Sequence, residues 1–308
     1  MTIDWTTRRV ALVCGGDSSE REVSLRTGAA FAEALRSVGV APTVVDLRRG
    51  TLPDLIAARP DVVLIALHGR HGEDGALQGA LELLGIPYTG SGVAASALAM
   101  DKVRSKCVFE RFGVQTPSWT IVAPASECPP APMDAPFVVK PALEGSSVGV
   151  TIVTDVAQWP DAWAAARGCR GDLLVEEFIA GRELTVGVFD GQPMGIVEIA
   201  PADGFYDYDA KYRRGDTRYL YPAPLSEPEA AAVCEQATRA FTALACRGVA
   251  RVDIMLDSRG PQVLEVNTIP GMTETSLVPK IAAGNGVPFA EFVTQLLDAA
   301  TTDDGVRP

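Results

Sequence analysis

A run of apolar residues at 10–14 ends in Gly15-Gly16. Bounded by glycine in this way, it predicts a strand buried on both faces, as in a parallel sheet. Apolar residues then recur at helical spacing over 20–38 (Val23, Ala30, Phe31, Leu35), which predicts a helix. Residues 43–47 and 62–67 predict further strands. A helix is predicted over 75–84, with Leu77, Ala80, Leu81 and Leu84 turned inward. Strands alternating with helices imply a parallel sheet with helices on both faces. Ligands of such sheets meet the carboxyl ends of the strands. Here those ends are the segments 15–20 and 68–74.

Beyond residue 100 the pattern changes. A basic-faced helix is predicted over 101–112, and strands over 115–121, 137–140 and 172–178. The Pro-rich stretch 127–136 predicts a surface loop. A long polar and aromatic stretch covers 203–221. A helix over 227–244, strands over 249–256 and 262–267, and a C-terminal helix over 288–299 complete the chain. The pattern divides into three zones, 1–100, 101–185 and 186–308, and contains no internal repeat.

Composition narrows the class. The chain has 308 residues, 47% hydrophobic and 21% charged, an ordinary globular balance that suits two or three domains. The formal net charge of −12 argues against non-specific binding to nucleic acid or anionic membrane. A phosphate site would then have to be enclosed and built from particular cations. The six cysteines form no Cys-x-x-Cys pair and read as reduced thiols. No apolar run approaches the ~18 residues of a membrane span, and the N-terminal apolar run is too short for a signal peptide, so a cytoplasmic protein is expected.

Four constellations carry candidate chemistry. The loop Gly145-Ser146-Ser147-Val148-Gly149 follows the strand that ends at Lys140. Its small residues could let backbone N–H groups approach an anion, though such a loop can also be a plain turn. Arg251 and Asp253 lie two apart on one predicted strand, and Glu265 and Asn267 on the next, so each pair shares a face. If the strands pair, two carboxylates and an amide meet, a donor set that suits Mg²⁺. A structural ion-pair array with Arg251 is the other reading. Glu176-Glu177-Phe178-Ile179, with Glu183 beyond it, could recognise an adenine edge and a ribose, or could be a surface acidic run. His68-Gly69-Arg70-His71 with Glu73 and Asp74 could suggest a metal, but its glycines favour a substrate loop.

Taken together, the segments resemble the D-alanine–D-alanine ligases of the ATP-grasp superfamily. The resemblance rests on Gly15-Gly16 through Glu20 to Leu25, His68-Gly69, Gly72 to Gly79, Tyr88 to Val93, Met100-Asp101-Lys102, Val139-Lys140-Pro141, Glu144 to Gly149, Phe205 to Tyr212, Arg251-Val252-Asp253, Glu265 to Thr273, and Leu277-Val278-Pro279. These motifs keep one order over nearly the whole chain. The segment 123–136 is shorter than is usual, and Ala142-Leu143 is less polar.

The resemblance implies an α/β ATP-grasp fold of three α/β domains, with an N-terminal Rossmann-like parallel sheet. It implies ATP-dependent joining of two D-alanines for peptidoglycan precursors. Lys102, Lys140 and Ser147 would serve the ATP phosphates. Glu176, Glu177, Phe178 and Ile179 would hold adenine, and Glu183 the ribose. Asp253, Glu265 and Asn267 would bind two Mg²⁺ ions, with Mn²⁺ able to substitute. Glu20, with His68 nearby, would hold the ammonium of the first D-alanine. Ser276 and Leu277 would hold the carboxylate of the second. Ser146 and Tyr212 would link to Glu20. Lys211 would reach the γ-phosphate from a lid over 203–221. Arg251 and the Gly271 N–H would face the tetrahedral oxyanion. Tyr212 would select D-alanine over a D-hydroxy acid as second substrate. The partners implied are ATP, D-alanine and a second copy of the chain as a homodimer, with no nucleic acid or membrane.

Overall fold

The strand β1 (Val10–Cys14) is buried along its whole length and forms the centre of a three-stranded parallel sheet. A computed structural model of the protein describes residues 3–123, 127–145, 148–200, 217–273 and 276–308. In it, β1 is flanked by β2 (Thr43–Asp46) and β3 (Val62–Ile65), with Leu12 opposite both Val44 and Leu64. Alternate residues of a strand face opposite sides. Val10, Leu12 and Cys14 therefore enter one core with Phe31 and Leu35 of α1 (Arg21–Ser37), while Ala11 and Val13 enter another with Leu77 and Leu81 of α3 (Ala76–Leu84). A short α2 (Leu52–Ala57) lies between β2 and β3 in the chain. The expected strands and helices of this zone are observed, but Leu84, expected inward, is exposed on the last turn of α3, and α2 was not expected.

Two helices, α4 (Val93–Met100) and α5 (Lys102–Arg111), lead into the second zone. Asp101 caps α5 by accepting the Arg104 N–H at 3.0 Å. The second sheet is antiparallel, ordered β4 (Trp119–Val122), β7 (Leu173–Glu177), β5 (Phe137–Pro141), β6 (Thr151–Val153). Trp159 and Trp163 of α6 (Trp159–Ala166) fill one face against Phe137. The strand expected from 115 begins only at Trp119. Pro117 has no N–H for a ladder, and the carbonyl of Gln115 accepts instead from Val263 N, at 2.7 Å.

The third sheet has five antiparallel strands in the order β10 (Arg218–Leu220), β9 (Gln192–Ala200), β8 (Arg182–Phe189), β11 (Val249–Asp257), β12 (Gly260–Asn267). Only β11 and β12 were expected. One face is covered by α7 (Glu227–Ala243), whose Val233, Ala237 and Phe241 pack on Val186, Val252 and Ile254. Residues between those positions turn to the other face, which gives that face a polar row along β8, β11 and β12. The helix α8 (Leu277–Gly284) packs on Val197 and Ile199.

The last helix, α9 (Phe289–Asp298), returns to the first sheet. Phe289 stacks on Phe31 at 6.1 Å, and the Trp5 indole N–H donates to Asp298 at 2.8 Å. All six cysteines are free thiols.

Candidate active site

The polar row begins with the register of two strands. Asp253 on β11 lies opposite Glu265 on β12, and Arg251 lies opposite Asn267. The register shifts just beyond Asp253, a bulge that leaves Leu264 as an extra residue below Glu265. On the other side of β11, Thr185 of β8 lies opposite Asp253 and donates its hydroxyl to Asp253 Oδ1 at 2.7 Å. The Arg251 guanidinium grips the same carboxylate, Nε to Oδ1 at 3.0 Å and Nη2 to Oδ2 at 2.8 Å. The ion-pair reading of Arg251 and the shared-face reading of the acids therefore hold together. Asn267 Oδ1 accepts the Ile269 N–H at 3.0 Å.

Cations approach this row from the second zone. Lys102, the first residue of α5, brings Nζ to 3.4 Å from Glu265 Oε2 and donates to the Glu144 carbonyl at 2.7 Å. Lys140, on β5, pairs with Glu176 on the neighbouring strand β7. Glu176 is not a surface acid. Its carboxylate is buried between two ammonium groups, the second being Lys106 at 2.7 Å from Oε2. The Oε2 contact is a close ion pair without a well-aligned hydrogen bond. Burial opposes charge on all three groups. In Glu176 the two ammoniums outweigh it, and the carboxyl lies below its ordinary value. For Lys140, burial is outweighed by the carboxylates of Glu176, Glu265 and Glu183, which hold its ammonium above the ordinary value. In Lys106 burial prevails, and the value is lowered.

The other expected residues of this side lie close by in the fold. Glu177 pairs with Arg259 at 2.8 Å, the Phe178 N–H donates to the Pro136 carbonyl at 3.3 Å, and Ile179 is buried. Glu183 follows on β8 and takes part in an electrostatic contact.

Loops and helix starts carry the opposite side. Glu20 precedes α1, and its backbone N–H donates to Ser18 Oγ at 3.2 Å, while that hydroxyl donates to the His68 carbonyl at 2.8 Å. The Glu20 carboxylate lies between two glycines of different zones. A Cβ on Gly69 would come within 2.7 Å of Glu20 Oε2, and one on Gly145 within 3.1 Å. Both His68 ring nitrogens are engaged, Nε2 with Thr27 Oγ1 at 3.0 Å and Nδ1 with Glu73 Oε1 at 3.2 Å. Thr27 Oγ1 also accepts the Met272 N–H at the long distance of 3.5 Å. That links the His68 loop to the loop of Gly271. Ser276 precedes α8, and its hydroxyl accepts the Thr273 N–H at 3.0 Å. It lies 3.0 Å from where a Gly271 Cβ would stand. Leu277 opens α8 and packs in its core.

Ser146, Ser147, Lys211 and Tyr212 lie outside the described residues, as does 203–216 of the expected lid. The end of that stretch is ordinary sheet, because residues 218–220 form β10 and pair with 198–200. Among the described residues, no three His, Cys, Asp or Glu side chains gather as a metal cluster. The candidate donor set is instead two carboxylates and an amide, hard oxygen ligands of the kind Mg²⁺ prefers, so the residues fit that ion.

Three participants escaped the sequence reading: Thr185, Thr27 and Lys106. Lys106 left a signal, because it sits three residues from both Val103 and Phe109, on the buried stripe of α5.

The family model for the D-ala D-ala ligase C-terminus matches residues 114–298, and the one for the N-terminus matches 50–91. The chain is 51% identical over 301 residues to the D-alanine–D-alanine ligase of Anaeromyxobacter sp. strain Fw109-5, covering 96% of this chain and 98% of that protein. It is 47% identical over 303 residues to that of Rhodospirillum rubrum, covering 96% and 99%. The crystal structure of the Bacillus anthracis D-alanine–D-alanine ligase complexed with ATP superposes with a TM-score of 0.84 at 32% identity, over 95% of this chain and 97% of that one. With relatives this similar over nearly its full length, and with the same fold in a solved ligase, the chain belongs to the D-alanine–D-alanine ligase family.

Proposed function

We propose that this protein joins two D-alanines into D-alanyl-D-alanine, converting ATP to ADP and phosphate. The convergence of Lys102, Lys140, Asp253 and Glu265 supports the reading most strongly, since it sets one helix-borne and one strand-borne cation beside strand-borne carboxylates. A carboxylate is a poor acyl donor because oxide is a poor leaving group. Moving the γ-phosphoryl group of ATP onto the carboxylate oxygen of the first D-alanine gives an acyl phosphate and ADP. The amine of the second D-alanine then attacks the acyl carbon, the amide bond forms, and phosphate departs with the former carboxylate oxygen.

In this reading Lys102, Lys140 and Ser147 hold the phosphates, Glu176 to Ile179 face adenine and Glu183 the ribose. Asp253, Glu265 and Asn267 would hold Mg²⁺, which neutralises charge on the transferred phosphoryl group. Glu20 receives the ammonium of the first D-alanine, oriented by Ser18 and Gly69, with Ser146 and Tyr212 completing its hydrogen bonds. His68 is fixed by Thr27 and Glu73. Ser276 and Leu277 hold the carboxylate of the second D-alanine. Arg251 and the Gly271 N–H stabilise the oxyanion. Lys211 and a lid around it exclude water, which would hydrolyse the acyl phosphate. D-Alanine rather than a D-hydroxy acid is the second substrate, through Tyr212. A homodimer, a cytoplasmic location and a role in peptidoglycan precursor synthesis belong to the same proposal. No helix among the described residues is long and apolar enough to cross a membrane.

The test is ATP-dependent phosphate release with D-alanine, L-alanine and D-lactate, with dipeptide measured directly. Release with D-alanine and D-alanyl-D-alanine as product is expected. Equal release with L-alanine, or a mainly depsipeptide product when D-lactate is added at neutral pH, would overturn it.

A further inference from the structure

Lys106 is completely buried, yet a hydrophobic residue would suit its place between Val103 and Phe109 on α5. Buried ion pairs are weak stabilisers, and apolar replacements of similar volume are commonly neutral or better. The position therefore asks for a reason besides stability. Its contacts supply one. Lys106 Nζ pairs with Glu176 Oε2 at 2.7 Å, and Glu176 Oε1 pairs with Lys140. Lys106 Nζ also donates to Thr116 Oγ1 at 2.6 Å, and that hydroxyl donates to the Val263 carbonyl at 2.7 Å. Val263 stands two residues before Glu265, at the bulge of β12. Of the three charged side chains only Lys140 reaches the surface, at 14% exposure against 2% for Glu176 and none for Lys106.

We propose that Lys106 is a positioning residue of the nucleotide site: by sharing the Glu176 carboxylate it leaves the charge of Lys140 available to an anionic nucleotide, and through Thr116 it ties that lysine to the strand of Glu265. Two ammoniums and one carboxylate leave one net positive charge, presented at Lys140. Without Lys106, Glu176 and Lys140 form a neutral pair, and the carboxylate has no second partner to hold it away from Lys140. The inference rests on the functional reading above in assigning Lys140 to ATP.

The experiment is calorimetric titration of ADP into the wild-type protein, Lys106→Met and Lys106→Arg, alongside KM for ATP and for D-alanine. Thermal melting reports folding. In Lys106→Met, the Kd for ADP and the KM for ATP are expected to rise about tenfold, with the KM for D-alanine within about twofold of wild type. Lys106→Arg keeps the positive charge beside Glu176 and should hold the Kd within about threefold of wild type. A Kd unchanged in folded Lys106→Met, a parallel rise in both KM values, or a folded Lys106→Arg no tighter than Lys106→Met would overturn the proposal. Should Lys106→Met not fold, Thr116→Val carries the test. It removes one anchor of Lys106 without changing charge and should weaken ADP about two- to threefold, and an unchanged Kd would refute the coupling. ADP titration needs no turnover. A wild-type protein that binds ADP but makes no dipeptide would refute the functional reading and leave the Lys106 test intact.

Discussion

The two sides of the candidate site are held in place by different means. On the strand-borne side, charges fix one another: Arg251 on Asp253, Lys102 on Glu265, and Lys106 and Lys140 on Glu176. On the loop-borne side, close backbone approach does the work, with Gly69 and Gly145 against Glu20 and with Gly271 against Ser276. Losing a member of the first side leaves a charge without its partner in a poorly solvated place, and costs function through electrostatics. The second side fails instead when a methyl group is added. Charge variants should therefore act on phosphoryl transfer and nucleotide binding, and glycine variants on the amino acid.

Asp253→Asn and Glu265→Gln should give the largest effects. Each is expected to lower kcat by about 10²–10³-fold while the fold survives, because each removes a charge that meets the phosphoryl charge in the proposed mechanism. Near wild-type turnover in either folded variant would remove these residues from the chemistry.

Gly69→Ala comes next and tests the other side. Gly69 has φ +70°, where an L residue is strained, and its added Cβ would stand 2.7 Å from the Glu20 carboxylate. The KM for D-alanine should rise about tenfold, with the KM for ATP little changed. A rise confined to ATP would break the contrast between the two sides.

Thr27→Val keeps the shape but removes the hydroxyl shared by His68 and the Met272 N–H. A rise of about threefold in the KM for D-alanine is expected, and an unchanged value would show that His68 is oriented by Glu73 alone.

The smallest effect is expected outside the site. Arg21 first, opposed by burial and helped by Arg48, holds the Asp46 carboxyl well below the usual carboxylate range. A lowered folded-state value contributes stability above the unfolded value near 4, and that contribution is lost as pH falls through the lower folded value. Because Asp46 is partly exposed, Asp46→Asn should cost no more than about 1 kcal/mol at pH 7. The difference from wild type should shrink as the pH is lowered below ~4. A cost independent of pH would mean that packing, and not the ion pairs, is lost.

The sequence made the first zone legible because its strands are continuous apolar runs and its helices have clear 3.6-residue spacing. The third zone was half legible. Leu184, Val186 and Val188 alternate with Glu183, Thr185 and Gly187, a period of two that marks β8, yet the polar members of that strand belong to the site and mask it. Period-two reasoning did place Arg251 and Asp253 on one face, and Glu265 and Asn267 on the other strand. Register was not legible: whether Asp253 meets Glu265 depends on a hairpin and a bulge that only pairing reveals. Nor could spacing show that Glu176 is buried between two lysines, since Lys106 and Lys140 come from a helix and a strand far apart in the chain.

The central claim is that the D-alanine carboxylate becomes the acyl phosphate. It is tested by running the reaction with D-alanine labelled with ¹⁸O in its carboxylate and analysing the released phosphate by mass spectrometry. The account predicts one ¹⁸O atom in each phosphate formed with dipeptide, because the oxygen that accepts the γ-phosphoryl group leaves with it. Phosphate free of label, at a dipeptide yield matching ATP consumption, would contradict it.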